Sequence, residues 1–375
     1  MKIGIVCYPT FGGSGVVATE LGNALAHKGH QVHFITYDMP VRFDNFSPNL
    51  FYHEVQVSDY PLFDYQPYEL VLSSKLVDVA KHEKLDLLHV HYAIPHASAA
   101  YMAKQILASQ GIKIPYITTL HGTDITLVGK DASFEPVITF AINESDAVTS
   151  VSESLKQDTY KFFNVKREIE VIPNFVDIDL YGKAKNALSK FNYNTGDKKV
   201  LLHISNFRPV KRVEDVVRVF DKIRKQIPVK LLLVGDGPER SKIEAMCREL
   251  GTCDEIQFLG KMKATEQALA MADLFILPSE TESFGLSALE AMAASVPVIS
   301  TNTGGLPEVN VHGVSGYLSN VGDVDDMAKN AISILKDKKT HDTFRNNALK
   351  RAKEFELSKI LPLYENLYER VINKI

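Results

Sequence analysis

Short, continuous apolar runs alternate along the chain with longer stretches in which apolar positions return every three or four residues. The first half places predicted strands, several of them interrupted by His, Thr or Ser, at 2–7, 31–36, 86–90, 115–119 and 147–151, and helical periodicity near 16–27, 68–83, 96–110 and 153–163. Unbroken apolar runs, without the in/out alternation of a half-exposed sheet, are the pattern of parallel strands covered on both faces. Strand followed by helix, repeated, predicts a doubly wound α/β domain.

After residue 198 the alternation starts again. Strands are predicted at 199–205, 229–234, 255–258, 273–277 and 296–300, with helices at 213–226, 238–250, 264–271, after Gly285, and at 324–336. Residues 169–177 read as the exit from the first lobe, and the polar stretch 182–198 as a linker or first loop of the second. At 375 residues the chain exceeds what one core usually supports. The expectation is α/β, two Rossmann-like doubly wound domains facing a central cleft, with boundaries at 1–170 and 171–354 and the ligand in the cleft.

Composition narrows the function classes. The apolar fraction of 45% with 23% charged residues is that of an ordinary globular protein. A net charge of −4 supplies no global attraction to nucleic acid or to an anionic membrane. Cys7, Cys247 and Cys253 form neither a metal-spaced cluster nor an even disulfide framework, which fits a reducing cytoplasm. The apolar run at Ile3–Val6 is too short for a signal peptide, and no run of about 18 apolar residues occurs. A cytoplasmic enzyme or binding protein is expected.

Candidate chemistry collects where predicted strands end. Pro9 to Gly15, with Gly12, Gly13 and Gly15, joins a strand to a helix and offers amides to a phosphate or carboxylate at Gly13–Ser14. Its spacing is not the GxGxxG dinucleotide fingerprint, and no acidic residue closes the second strand in the required place, which argues against a nicotinamide cofactor. His91-Tyr92 and His121-Gly122-Thr123-Asp124 follow two further strands. In the second lobe Arg208 and Lys211 follow a strand, a fork and a point charge suited to a pyrophosphate. Gly235-Asp236-Gly237-Pro238 reads as a turn with Pro at the first helical position, and Asn302 to Glu308 as another glycine turn.

The stretch Ser279 to Glu290 is the focus. Ser283, Phe284 and Gly285 fall at a helix N-terminus, whose free N–H groups favour an anion or sugar hydroxyls. On one continuous helix Glu282 and Glu290 would be separated by about 12 Å of rise and roughly 80° of rotation. Glycosidase carboxyls lie about 5 to 9.5 Å apart around one bond. The pair instead suits two acceptors gripping different parts of one long ligand. Asp177-x-Asp179 and Asp323-x-Asp325 spell DxD, but the first lies in the linker and the second reads as an acidic helix start, so no metal site is assigned.

Glu282-x7-Glu290, Arg208/Lys211, His121-Gly122-Thr123, Pro173-Asn174-x-x-Asp177 and Gly304-Gly305-x-Pro307-Glu308, in that arrangement over essentially the whole chain, resemble the family 4 retaining glycosyltransferases of GT-B fold. The resemblance implies a nucleotide-diphosphate-sugar donor, no cofactor, no metal requirement, and a C-terminal helix, 355–375, that completes the first domain. Cys7-Tyr8-Pro9, the run His89 to His96, and His203 to Arg208 resemble the branch that moves N-acetylglucosamine from UDP-GlcNAc to the hydroxyl of L-malate, the opening step of bacillithiol biosynthesis. Carried over, Glu282 accepts from a sugar hydroxyl, the Ser283, Phe284 and Gly285 segment binds the sugar's far side, and Glu290 holds the ribose. Arg208 and Lys211 stabilise the leaving UDP, and His121 contacts the sugar near the reacting centre, making His121, Lys211 and Glu282 the catalytic set. Gly13 is assigned to the donor, Ser14, Tyr92 and Thr123 to the acceptor, and Asn206 to both. Asn206 enters because three positions separate Arg208 from Lys211 where the family often has five. A homo-oligomer is expected, with no nucleic-acid or membrane partner. The alternatives are a family 4 transferase with another acceptor, a UDP-GlcNAc 2-epimerase, and a non-catalytic nucleotide-sugar sensor.

Overall fold

The computed structural model describes residues 1–57, 66–127, 131–188 and 197–374. They form two compact units, Met1–Pro173 with Ser358–Ile375, and Asn174–Leu357.

The first unit holds a seven-stranded sheet of β1 (Lys2–Val6), β2 (Gln31–Thr36), β3 (Leu50–Glu54), β4 (Leu87–His91), β5 (Tyr116–Leu120), β6 (Ala147–Ser150) and β7 (Ile169–Val171). Their order is β3-β2-β1-β4-β5-β6-β7 and every pairing is parallel. The second unit holds six parallel strands, β8 (Lys199–Ile204), β9 (Val229–Val234), β10 (Ile256–Gly260), β11 (Leu274–Leu277), β12 (Val298–Thr301) and β13 (Gly316–Ser319), in the order β10-β9-β8-β11-β12-β13. The strand order reverses between β1 and β4 in one sheet and between β8 and β11 in the other. Those reversals are where the connecting loops part and leave a crevice at the carboxyl ends of the strands.

Both sheets use one device at their amino-terminal edge. Asp86, Asp146 and Asp273 each stand just before a strand and accept the N–H of the neighbouring strand's start, from Lys2 at 2.7 Å, Tyr116 at 2.8 Å and Val200 at 2.9 Å. Their own N–H groups return to the carbonyls of the same three residues. Lys104 and Lys199 then pair with Asp146 and Asp273. The strand ends are thereby satisfied at the boundary of the core.

The pattern reading differs from the structure at identifiable places. Leu50–Glu54 is an edge strand of mixed polarity, and Lys338–Ala352 is a helix whose sequence is mostly polar because it buries only His341, Phe344, Ala348 and Ala352. Helix Glu135–Glu144 and strand Gly316–Ser319 were likewise absent from the expected elements. Of the expected linker, residues up to Leu188 continue the helix Ile178–Leu188, and 189–196 lie outside the described residues. The first helix spans Gly13–His27, three residues earlier than its apolar periodicity indicates, because glycine and serine carry no hydrophobic signal. Pro238 precedes its helix, which starts at Arg240, so it is not the first helical residue. Among the described residues no helix is long and apolar enough to cross a membrane.

Helix Gly13–His27 reaches the sheet closely at Gly22, where an added Cβ would meet Phe34 Cζ at 2.3 Å and Ile5 Cδ1 at 3.2 Å. Phe34 is backed edge-on by Phe43, so its ring has little room to withdraw. Alanine would gain about 1 kcal/mol of helix propensity and lose about 1–3 kcal/mol to overpacking. Gly22→Ala is therefore expected to lower the urea midpoint of unfolding; an unchanged or raised midpoint would show that the ring moves aside freely.

Candidate active site

In the second unit, β11 runs through Pro278 into a loop that ends at the helix Leu286–Ala293. Gly285 begins that helix at φ +95°, a left-handed conformation that strains any residue with a Cβ. Phe284 is buried with its ring 5.8 Å from Phe355. Its side chain is committed to the core, and what it can present to a ligand is backbone. Glu282 lies in the loop, not on the helix, so the continuous-helix spacing to Glu290 does not apply. Glu290 sits in the helix and is 8% exposed, whereas Glu282 is half-buried.

The Glu282 loop is pinned from two sides. The Gly305 N–H donates to Glu282 O at 2.9 Å, Thr301 Oγ1 to Ser279 O at 2.6 Å and Thr303 Oγ1 to Glu280 O at 3.2 Å. A Cβ on Gly304 would stand 1.9 Å from Glu282 O, so the two backbones meet at a distance only glycine permits. On the other side the Glu280 N–H donates to Val210 O at 2.8 Å. This ties the β11 loop to the loop after β8, and Lys211 Nζ forms an ion pair with Glu282 Oε1, to which Ser279 Oγ also donates at 3.2 Å.

The β8 loop is held in turn by His203. Burial lowers its pKa to about 4, so the ring is neutral near pH 7. Its Nδ1 donates to Ile276 O at 2.8 Å, which leaves Nε2 to accept from Ser205 Oγ at 2.8 Å. Gly235 and Gly237 back the same loop, since a Cβ on either would fall 1.8 Å from Ser205 O or 2.0 Å from Asn206 O. The segment read as a simple turn is thus the support for Asn206 to Lys211. Asn206 and Arg208 are exposed, while Arg212 is occupied with Asp215 at 2.6 Å.

At the switch point of the first unit, Gly13 and Ser14 form the first turn of their helix, where N–H groups lack intrahelical acceptors by geometry. Tyr92, at φ +86°, donates its hydroxyl to Ser14 Oγ at 2.8 Å. Asp124 is buried and accepts the N–H of Ala93 at 2.8 Å and of Gly122 at 3.2 Å, which joins the turns after β4 and β5. Burial pushes its carboxyl up to about 6 despite those hydrogen bonds. Thr123 stands exposed at the start of a π-helical turn, Thr123–Leu127.

His121 belongs to a buried histidine set only partly legible beforehand. Its Nε2 lies 2.8 Å from His91 Nδ1, and the rings stack at 5.0 Å. His96 Nδ1 donates to His91 O at 2.5 Å. His89 bridges Thr119 Oγ1 at 2.7 Å and the Tyr368 hydroxyl at 2.8 Å, the latter from the C-terminal helix. Burial lowers His89 and His121 to about 3, His96 to about 4 and His91 well below the usual imidazole range. These are neutral hydrogen-bonding groups near pH 7. The signal for them was the His-Val-His of an otherwise apolar strand, which sets two imidazoles close enough to stack, their centroids 4.5 Å apart.

The DxD spellings serve local structure. Asp323 caps the helix Val324–Leu335, Asp325 pairs with Lys222 at 2.7 Å, and Asp177 accepts from the Asp179 N–H.

Two family models match: Glycosyltransferase Family 4 over residues 11–180 and Glycosyl transferases group 1 over residues 185–351. The chain is 49% identical over 374 residues to N-acetyl-alpha-D-glucosaminyl L-malate synthase of Bacillus anthracis, covering 99% of this chain and 97% of that one. It is 29% identical to an uncharacterized glycosyltransferase of Methanocaldococcus jannaschii, with 93% of each covered. Among solved structures, sucrose-phosphate synthase from Thermosynechococcus elongatus superposes with a TM-score of 0.82 at 22% identity over the full length of both chains. Anabaena HepE, in complex with UDP and glucose, gives 0.81 at 21% identity over 98% and 99%. At those identities the two structures establish the likeness of fold, while the full-length relative and the paired family models establish the lineage: the chain belongs to the family 4 glycosyltransferases and has their GT-B fold.

Proposed function

We propose that the protein transfers N-acetylglucosamine from UDP-GlcNAc to the hydroxyl of L-malate with retention of the α configuration, the first step of bacillithiol biosynthesis. The 49% identity over nearly the whole chain to a protein named for that product carries the reading. The second unit supplies the donor grip. Lys211 and the exposed Arg208 stabilise charge on the departing UDP, Glu282 and the 283–285 amides take sugar hydroxyls, and Glu290 takes the ribose. On the first unit, Ser14, Tyr92 and the helix start beside them suit a dicarboxylate, and His121 offers a neutral imidazole to the sugar. The three free thiols, one of them exposed, support a reducing cytoplasm.

Chemically, the C1–O bond to the β-phosphate breaks, a C1–O bond to malate forms on the same face, and the malate hydroxyl proton passes to the leaving phosphate oxygen. No protein nucleophile is required. No step is assigned to a metal, and the charge on phosphate is met by Lys211 and Arg208, the class of electrostatic stabilisation that contributes most to such reactions.

The direct test measures UDP release from UDP-GlcNAc with EDTA present, with and without L-malate, followed by anomeric NMR of the product. Malate-dependent release and an α-linked product are expected. Malate-independent behaviour would indicate another acceptor, and donor conversion without UDP release would indicate the epimerase.

In Lys211→Ala, turnover should fall by about 10²–10³-fold, the effect of removing one preorganised charge partner from a developing anion. Glu282→Gln should cost turnover in the same direction while both variants keep the parent circular dichroism. Near-normal turnover in either would remove that residue from the catalytic set.

With the imidazoles neutral down to pH 4 or below, His121 should leave no inflection in the ordinary imidazole range. The acidic limb of kcat/KM is instead expected at about 6, where Asp124 takes up a proton as pH falls, and Asp124→Asn should flatten it. A limb that persists in that variant would assign it to another group.

A further inference from the structure

Away from both switch points, His33, His53 and Glu83 bring one potential ligand atom each to within 4.8 Å of one another. They come from three elements. His33 is in the middle of β2, His53 lies in the edge strand β3, and Glu83 ends the helix Tyr68–Glu83. The parallel register sets His33 opposite Phe51, so that His53, two residues further along β3, shares the face of Phe51. The helix C-terminus then delivers Glu83 to the same place.

The set has the character of a ligand group more than of a salt-bridge cluster. His33 is buried and His53 and Glu83 are half-buried. Stacking on Phe51 at 4.6 Å and 15° holds the His33 plane. His33 Nδ1 and His53 Nε2 are 2.9 Å apart, where one must donate to the other. A tetrahedral ion with bonds of about 2.0–2.1 Å separates its ligand nitrogens by about 3.3 Å, so the pair needs to open by only a few tenths of an ångström. His33 Nε2 is buried without a hydrogen-bond partner among the described residues. The Lys2 ammonium is also close, donating to the main-chain carbonyl of Glu83 at 2.9 Å.

We propose that His33, His53 and Glu83 bind a divalent transition-metal ion of zinc type, with two imidazoles, one carboxylate and a remaining position for water. The site fastens the β2–β3 edge to the helix Tyr68–Glu83, on the far side of β1 from the β1/β4 switch point, and takes no part in the transfer. Its expected consequence is stability.

The test uses the full chain stripped by a chelating resin. Zn²⁺ is titrated against a chromophoric chelator, Co²⁺ is followed by its visible absorption, and thermal unfolding is recorded with and without one equivalent of Zn²⁺. One ion per chain is expected, with a midpoint raised by ~2 °C or more. His53→Gln and Glu83→Gln, at half-buried positions and checked by circular dichroism, should each weaken binding by about tenfold or more. Cys253→Ser, which removes the exposed thiol, should leave it unchanged. Absence of saturable binding, undiminished affinity in both ligand variants, or a thiolate-to-cobalt absorption that disappears in Cys253→Ser would overturn the proposal.

Discussion

Covering a parallel sheet on both faces is the constraint from which the rest of this molecule follows. Every strand must find hydrogen-bond partners on its neighbours, and most of the crossovers between parallel strands are helical. At the amino ends Asp86, Asp146 and Asp273 close the ladders with carboxylates. At the carboxyl ends loops are free to carry chemistry, and in each unit the polar groups gather where the strand order reverses.

The second unit turns that freedom into a rigid grip by close backbone approach. Gly304 and Gly305 lie against Glu282 and Ser283, and Gly235 and Gly237 lie against Ser205 and Asn206. Each contact removes a place where a side chain could stand and replaces it with fixed backbone geometry. Lys211 and Glu282, carried on different loops, meet because the two loops are joined by the Glu280 N–H to Val210 O. A ligand phosphate and a ligand hydroxyl would each compete for one member of that ion pair.

The first unit relies on burial instead. His89, His91, His96 and His121 are kept neutral by desolvation, and Asp124 keeps an unusually high pKa because it is enclosed while serving two turns. Neutral imidazoles donate and accept directionally without adding charge, which suits a surface whose proposed acceptor is itself a dianion.

Much of this could be read from the chain alone. Apolar runs such as Leu231–Val234 and Leu274–Leu277 declare buried parallel strands by themselves, because both faces need hydrophobic side chains, and strand-to-loop positions then mark His121, Lys211 and Glu282 as candidates. Elements that bury little, such as Leu50–Glu54 and Lys338–Ala352, left no such imprint. Local pattern also could not say that Glu282 lies off the helix bearing Glu290, that Phe284 spends its ring on Phe355, or that Gly235 and Gly237 support another loop. Nor could it reveal that His33, His53 and Glu83 converge. Those facts depend on which distant backbones approach one another. Periodicity records whether a residue is buried, and only the tertiary structure decides against what.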